Sequence, residues 1–129
     1  MQIFLSYAPA DEAFAKALSS QLRKKNFSVW DPNEELLPGD NFWRRTGDAL
    51  EKSNAMVVLV SPDSMRSENV RRELEYAMGA PKYEGRLFPV EVRRTPKVPW
   101  ILRKLRKFEA GESPAKISQA IASALKKVA

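Results

Sequence analysis

The six residues Ala55-Met-Val-Val-Leu-Val60 carry no polar side chain. A strand with one wet face alternates polar and apolar residues, so this unbroken run reads as a strand covered on both faces. It is far too short to cross a bilayer. Short apolar runs alternate with helix-period segments on either side of it. Ile3-Phe-Leu-Ser-Tyr7 reads as a buried first strand, and the stretch from about 11 to 25 as an amphipathic helix carrying Phe14, Ala17, Leu18 and Leu22 on one face. Phe27-Ser-Val-Trp30 is a second strand. Residues 31–39 have the prolines, glycine and acids of a loop, after which Asp40 is placed to cap a helix facing inward through Phe42, Thr46, Ala49 and Leu50.

Beyond the central strand, Ser61-Pro-Asp-Ser64 turns the chain into a helix over about 67–78 that buries Val70, Leu74, Ala77 and Met78. Arg86-Leu-Phe-Pro-Val-Glu-Val92 is a fourth strand whose Pro89 hints at an edge position. Residues 105–108 read as a short fifth strand. Ser113 and Pro114 open a last helix with Ile117, Ala120, Ile121, Ala124 and Leu125 inward. Strands separated by helices of this length require right-handed crossovers and a parallel sheet. The expected fold is therefore α/β and flavodoxin-like: three layers around a five-stranded parallel sheet of order 2-1-3-4-5. At 129 residues it is a single domain, 1–129. The ligand crevice of such a sheet lies where strands 1 and 3 end, at Tyr7-Ala-Pro-Ala10 and Ser61-Pro-Asp-Ser-Met-Arg-Ser67.

The chain has no cysteine and no histidine, which excludes disulfides, thiolate zinc sites, cysteine nucleophiles and histidine bases. No metal site is expected. Neither GxGxxG nor GxxxxGK[ST] occurs, and no basic-plus-apolar leader opens the sequence. The net charge of +6 is concentrated in residues 93–107, which hold seven basic residues and no acid. That run is either a contact patch for an anionic partner or a solvated, loop-rich face.

Three glutamates lie on the helix leaving the crevice. Glu68 and Glu75 each have Arg71 and Arg72 three or four residues away, so both are explained as helix-surface ion pairs. Glu73 has Asn69, Val70, Tyr76 and Ala77 in those positions, none of them basic. At 100° per residue it sits about 60° from Val70, on the margin of the buried stripe. It is either a carboxylate held for chemistry at the crevice or an exposed glutamate with a partner elsewhere.

Five blocks occur in order: Ile3-Phe-Leu-Ser-Tyr-Ala-Pro-Ala-Asp11, Val29-Trp30, Leu37-Pro-Gly-Asp40 running into Ala49-Leu-Glu-Lys-Ser53, Val57-Val-Leu-Val-Ser-Pro62, and Ser67-Glu-Asn-Val-Arg-Arg-Glu-Leu-Glu-Tyr-Ala77. Together they resemble a TIR (Toll/interleukin-receptor) domain of the bacterial type. The resemblance implies cleavage of NAD+ between nicotinamide and ribose, to nicotinamide and ADP-ribose or a cyclic isomer. It needs no further cofactor. The family's catalytic glutamate lies in a Trp-x-x-x-Glu-Leu pattern that falls on Asn69 to Leu74, so Glu73 is the matching position and Asn69 stands at the tryptophan's place. Ser6, Tyr7, Ala8, Phe42, Trp43 and Asn69 are the expected substrate-facing residues, with Tyr7, Phe42 and Trp43 as candidates to hold the nicotinamide ring.

Residues 31–39 correspond to the family's BB loop, which packs one TIR domain on another. Glu34, Glu35, Leu36, Leu37, Pro38, Gly39 and Asp40 are thus the expected assembly segment, meeting the basic face of a neighbouring copy head to tail. The expected setting is a cytoplasmic effector or signalling module of prokaryotic antiviral immunity, with NAD+ and other TIR domains as partners and neither specific nucleic acid nor membrane. Such domains are commonly fused to a sensor or oligomerising domain, so the chain stands alone or is excised from a larger protein. A non-catalytic TIR interaction module and a nucleoside deoxyribosyltransferase-like enzyme are the alternatives. A phosphoacceptor receiver domain would need acids where Tyr7, Ala8 and Ser61 stand.

Overall fold

The computed structural model describes residues 1–103, 105, 108 and 111–128. Its element order is β1 (Gln2–Ser6), α1 (Glu12–Lys24), β2 (Ser28–Trp30), α2 (Pro32–Glu35), α3 (Phe42–Lys52), β3 (Ala55–Val60), α4 (Glu68–Gly79), β4 (Leu87–Glu91), α5 (Trp100–Arg103) and α6 (Pro114–Val128). The strands form one parallel sheet in the order β2-β1-β3-β4. All six residues of β3 are buried, as their uniform apolar character requires.

The described strands number four, where five were expected. Phe108 pairs with Val90 in a single parallel bridge, accepting from Glu91 N at 2.9 Å and donating to Pro89 O at 3.2 Å. Arg106 and Lys107 lie outside the described residues. Of the expected fifth strand, the bridge therefore holds one apolar anchor, at Phe108.

Alternation along β1 decides which side chain faces which layer. Ile3, Leu5 and Tyr7 join Ala15, Leu18 and Leu22 of α1 and Ile117, Ile121 and Leu125 of α6 on one side. Phe4 packs on the other side with Ala49 and Leu50 of α3 and Ala77 of α4, its ring stacked on Trp30 at 5.0 Å. Val58 and Val60 extend that second layer against Val70 and Leu74 of α4 and Leu102 of α5. Burying each such aliphatic side chain stabilises the fold by roughly 1.5–3 kcal/mol. Two members of the expected inward stripes point outward instead: Ala17 is exposed, its place taken by Ala15, and Met78 is 39% exposed.

Turn chemistry sets the element ends. Asn26 follows α1 with φ +69°, and Asn26 N and Phe27 N donate to Arg23 O and Leu22 O, the paired closure that frees the chain to enter β2. The expected loop 31–39 contains α2. Asp31 accepts from Asn33 N at its start and Pro32 fills the first position. Leu37-Pro-Gly-Asp40 is then a tight turn closed from Asp40 N to Leu37 O, with Pro38 in the second place and Gly39 at φ +91° in the third. Asn41, not Asp40, caps α3 by accepting from Arg44 N. The Asp40 carboxylate accepts from Leu37 N and faces Arg45 at 3.6 Å, which withdraws it from the cap.

Candidate functional site

β1 is followed by α1 on one face of the sheet and β3 by α4 on the other, so the connections diverge between the ends of these two strands. Ser6, the last residue of β1, has the same parity as Phe4 and faces α4. Its hydroxyl donates to the Glu73 carboxylate at 2.7 Å. Ser67 caps α4 by accepting from Val70 N, which fixes where on the helix Glu73 falls.

Glu73 is 6% exposed, so it lies within the buried face rather than on its margin. Among the described residues no cation pairs with it. Arg71 is shared by Glu68 and Glu75, and Arg72 bonds Glu68 at 2.6 Å, as the helical spacing predicts. Burial pushes the Glu73 carboxyl up to about 7, against the Ser6 hydrogen bond, which favours the charged form. A carboxyl in this position exchanges its proton near neutral pH.

The remaining expected site residues divide between the two faces. Tyr7 points away from Glu73 into the α1/α6 layer, and its hydroxyl donates to Asp31 Oδ1 at 2.6 Å. Burial first, and then Asp31, hold that phenol protonated well above its ordinary range. Ala8 is buried, and its carbonyl accepts from Asp11 N. On the Glu73 side, Trp43 at the start of α3 is 49% exposed, with Phe42 edge-on at 5.0 Å and the Arg72 guanidinium 4.9 Å from its ring centre. Asn69 is exposed one turn before Glu73. The structure therefore brings together Ser6 and Glu73, sets Trp43 beside α4, and turns Tyr7 to the opposite layer.

Asp31 is fully buried, and its Oδ2 has no partner among the described residues. Tyr7→Phe removes the hydroxyl from Oδ1 and leaves only Asn33 N to satisfy the carboxylate. Urea denaturation is expected to show a loss of about 1–3 kcal/mol. A loss below 0.5 kcal/mol would mean that water already serves this carboxylate.

Sequence reasoning missed a second polar cluster at the same end of the sheet. Asp11, 5% exposed, accepts from the Ser61 hydroxyl at 2.5 Å and from Arg93 at 3.0 Å, while Arg93 also bonds Asp63 at 2.6 Å. These residues come from the start of α1 and from the segments that follow β3 and β4, and no local spacing announces them. Arg93 thereby leaves the supposed basic patch for an ion pair. Arg94, Lys97 and Arg103 of that run are exposed around buried Val98 and Leu102, and Lys104, Arg106 and Lys107 lie outside the described residues.

The expected assembly segment is held from beneath. Glu34 bonds Arg23 at 2.7 Å, Arg45 donates to Glu35 O, and Leu36 packs partly buried against the Phe4 layer. Leu37 stands out, 65% exposed, with Pro38 and Gly39 exposed beside it.

The TIR domain family model matches residues 3–125, and the chain belongs to that family. The TIR domain of the Toll-related receptor TRR-2 from Hydra magnipapillata is similar in structure, with a TM-score of 0.78 at 20% identity over 98% of this chain and 95% of that one. A TIR-STING receptor from C. gigas, in complex with 2',3'-cGAMP, gives 0.78 at 23% identity over 95% of this chain and 38% of its own. The Clostridium botulinum CMP N-glycosidase BcmB gives 0.64 at 16% identity over 95% of this chain and 98% of that one. A search of curated proteins finds no match. No helix among the described residues is long and apolar enough to cross a membrane.

Proposed function

We propose that this TIR domain is an NAD+ glycohydrolase with Glu73 as its catalytic carboxylate. The observation that carries the reading is the Glu73 geometry. A carboxylate 6% exposed, with a single serine hydroxyl and no cation on it among the described residues, sits at the switch point of a parallel sheet. Nothing in the packing of α4 needs a charge there, and an unpaired buried charge is costly.

The chemistry suits a chain without histidine. The electron pair of the C1′–N bond passes to the pyridinium nitrogen, so nicotinamide departs neutral and takes no proton. Positive charge then develops on the ribose, and Glu73 in its ionised form stabilises that oxocarbenium-like sugar. Water adds at C1′ and its proton leaves to the carboxylate or to solvent. Ser6 positions the carboxylate through its hydrogen bond, and Trp43 is the half-exposed ring beside α4 against which nicotinamide packs. With water the products are nicotinamide and ADP-ribose; where a nucleophilic atom of the same ADP-ribosyl group bonds to C1′ in place of water and gives up its proton, the product is a cyclic isomer.

The domain serves, in this proposal, as a cytoplasmic effector or signalling module of prokaryotic antiviral immunity. Residues 1–129 form one TIR unit that is coupled to a sensor and activated by packing on other TIR domains.

Incubation of concentrated protein with NAD+, followed by chromatography of nicotinamide, tests the activity. Because the ionised carboxylate is the active form, kcat/KM is expected to rise with pH through about 7 and then level off. A second reading is an N-glycosidase acting on a neutral nucleoside or nucleotide base, as the name of the C. botulinum neighbour suggests. There the departing base needs a proton, so the rate would fall over the same pH range. A non-catalytic interaction module is favoured instead by exposed Asn69 in the tryptophan's place, and it predicts no turnover at any concentration.

A further inference from the structure

An open groove of about 430 Å3, lined by Pro62, Met65, Arg66, Thr95, Pro96 and Lys97, lies between the segments that follow β3 and β4. It is at the carboxyl end of the sheet, where parallel α/β sheets take their ligands. Neither Ser6 nor Glu73 lines it. Its volume falls in the roughly 300–1,000 Å3 range of small-molecule sites.

The lining is chemically selective. Pro62, Met65 and Pro96 offer flat or pliable apolar surface of the kind that packs on an aromatic ring. Thr95 brings no free donor, because its hydroxyl donates to Arg93 O at 2.8 Å and its amide to the Glu91 carboxylate. The side-chain donors that remain are cationic. Among the described residues Lys97 enters no ion pair, and the Arg66 side chain is 74% exposed. The nearby acid, Asp63, is held between Arg66 at 3.3 Å and Arg93 at 2.6 Å, which keeps its carboxyl below the usual range and offsets its charge.

We propose that this groove binds a nucleoside monophosphate, with the planar base against Pro62, Met65 and Pro96 and the phosphate between Arg66 and Lys97. Arginine offers a phosphate two parallel donors and lysine a point charge. The site is independent of Glu73 and does not require that residue to be catalytic.

Calorimetric titration of the full chain with AMP, adenosine and inorganic phosphate as separate probes tests the proposal. AMP is expected to bind at least ~10-fold more tightly than either fragment. Arg66→Ala with Lys97→Ala should weaken AMP at least ~10-fold, while Glu73→Gln leaves it unchanged. Because both substituted side chains are exposed, circular dichroism should show the fold intact. Amide shifts induced by AMP in the wild-type chain, centred on Met65 and Thr95, supply a readout that needs no variant. No binding at 10 mM AMP would overturn the site, as would phosphate binding as tightly as AMP. AMP affinity lost in Glu73→Gln but kept in the Arg66/Lys97 variant would overturn it too, placing the nucleotide at the other crevice.

Discussion

Glu73→Gln is expected to lower NAD+ turnover by at least ~10²-fold and to make the folded chain more stable at pH 8. The two effects share one cause. The Glu73 carboxyl titrates at about 7 in the fold, against an ordinary value of 4.5, so folding favours its protonated form. Stability from this group is fully present below pH 4.5 and is lost as pH rises through 7. The difference amounts to as much as about 3 kcal/mol at pH 8, an order-of-magnitude figure for a buried group. Glutamine carries no charge to bury, so the variant should lack this slope and gain several degrees in Tm at pH 8 but little at pH 5. Glu34 and Asp63, whose carboxyls are held low by Arg23 and Arg93, lose their contribution at lower pH and leave this window clear. Urea denaturation at both pH values beside NAD+ assays checks the pair. A variant that keeps its turnover ends the catalytic assignment, and one destabilised at pH 8 contradicts the burial argument.

Hundredfold dilution is expected to cut turnover per molecule by up to roughly the dilution factor, if assembly is required and the protein sits below its dissociation constant. Leu37→Ala should reproduce that loss at fixed concentration. Leu37 is 65% exposed, so the change should leave stability within about 0.5 kcal/mol while removing an apolar contact from a partner. Leu36 is the wrong probe because it packs against the layer containing Phe4 and Trp30, where truncation weakens the fold itself. Added salt should slow assembly by screening the charges that orient the encounter. Specific activity that holds constant over the dilution series would exclude an obligatory partner, whatever Glu73 proves to do.

The features legible in the sequence were those with local causes. The apolar run of β3 announced a doubly covered strand, and the spacing of Arg71 and Arg72 singled out Glu73 by leaving it without an ion-pair partner on its own helix. Periodicity placed that residue at the rim of the buried face, because helical angle alone knows nothing of Ser6 reaching across from β1. The Asp31-Pro32 pair carried a readable signal for α2, a cap followed by a first-turn proline, that the loop-like composition around it masked. Two chemically adequate caps stood side by side at Asp40 and Asn41, and only the tertiary contact of Asp40 with Leu37 N and Arg45 decides between them. The Asp11–Arg93 pair joins residues 82 positions apart, a distance over which no motif or period operates.

That pair also has a mechanical meaning. Arg93, arriving from the end of β4, grips an aspartate beside α1 whose other oxygen is bonded from the end of β3. The crevice is thereby riveted along its β3–β4 side, and spreading it there would strip a buried carboxylate of its donors. On the opposite side α2 is a single short turn of helix, held by the surface pair Glu34–Arg23, by Arg45 on Glu35 O and by half-buried Leu36, and followed by exposed Leu37, Pro38 and Gly39. In the proposed function, motion that lets a nucleotide reach Glu73 would be expected on that side, where exposed Leu37, Pro38 and Gly39 follow α2. The segment that yields is then the one a neighbouring domain would grasp, so docking and admission would work as one hinge.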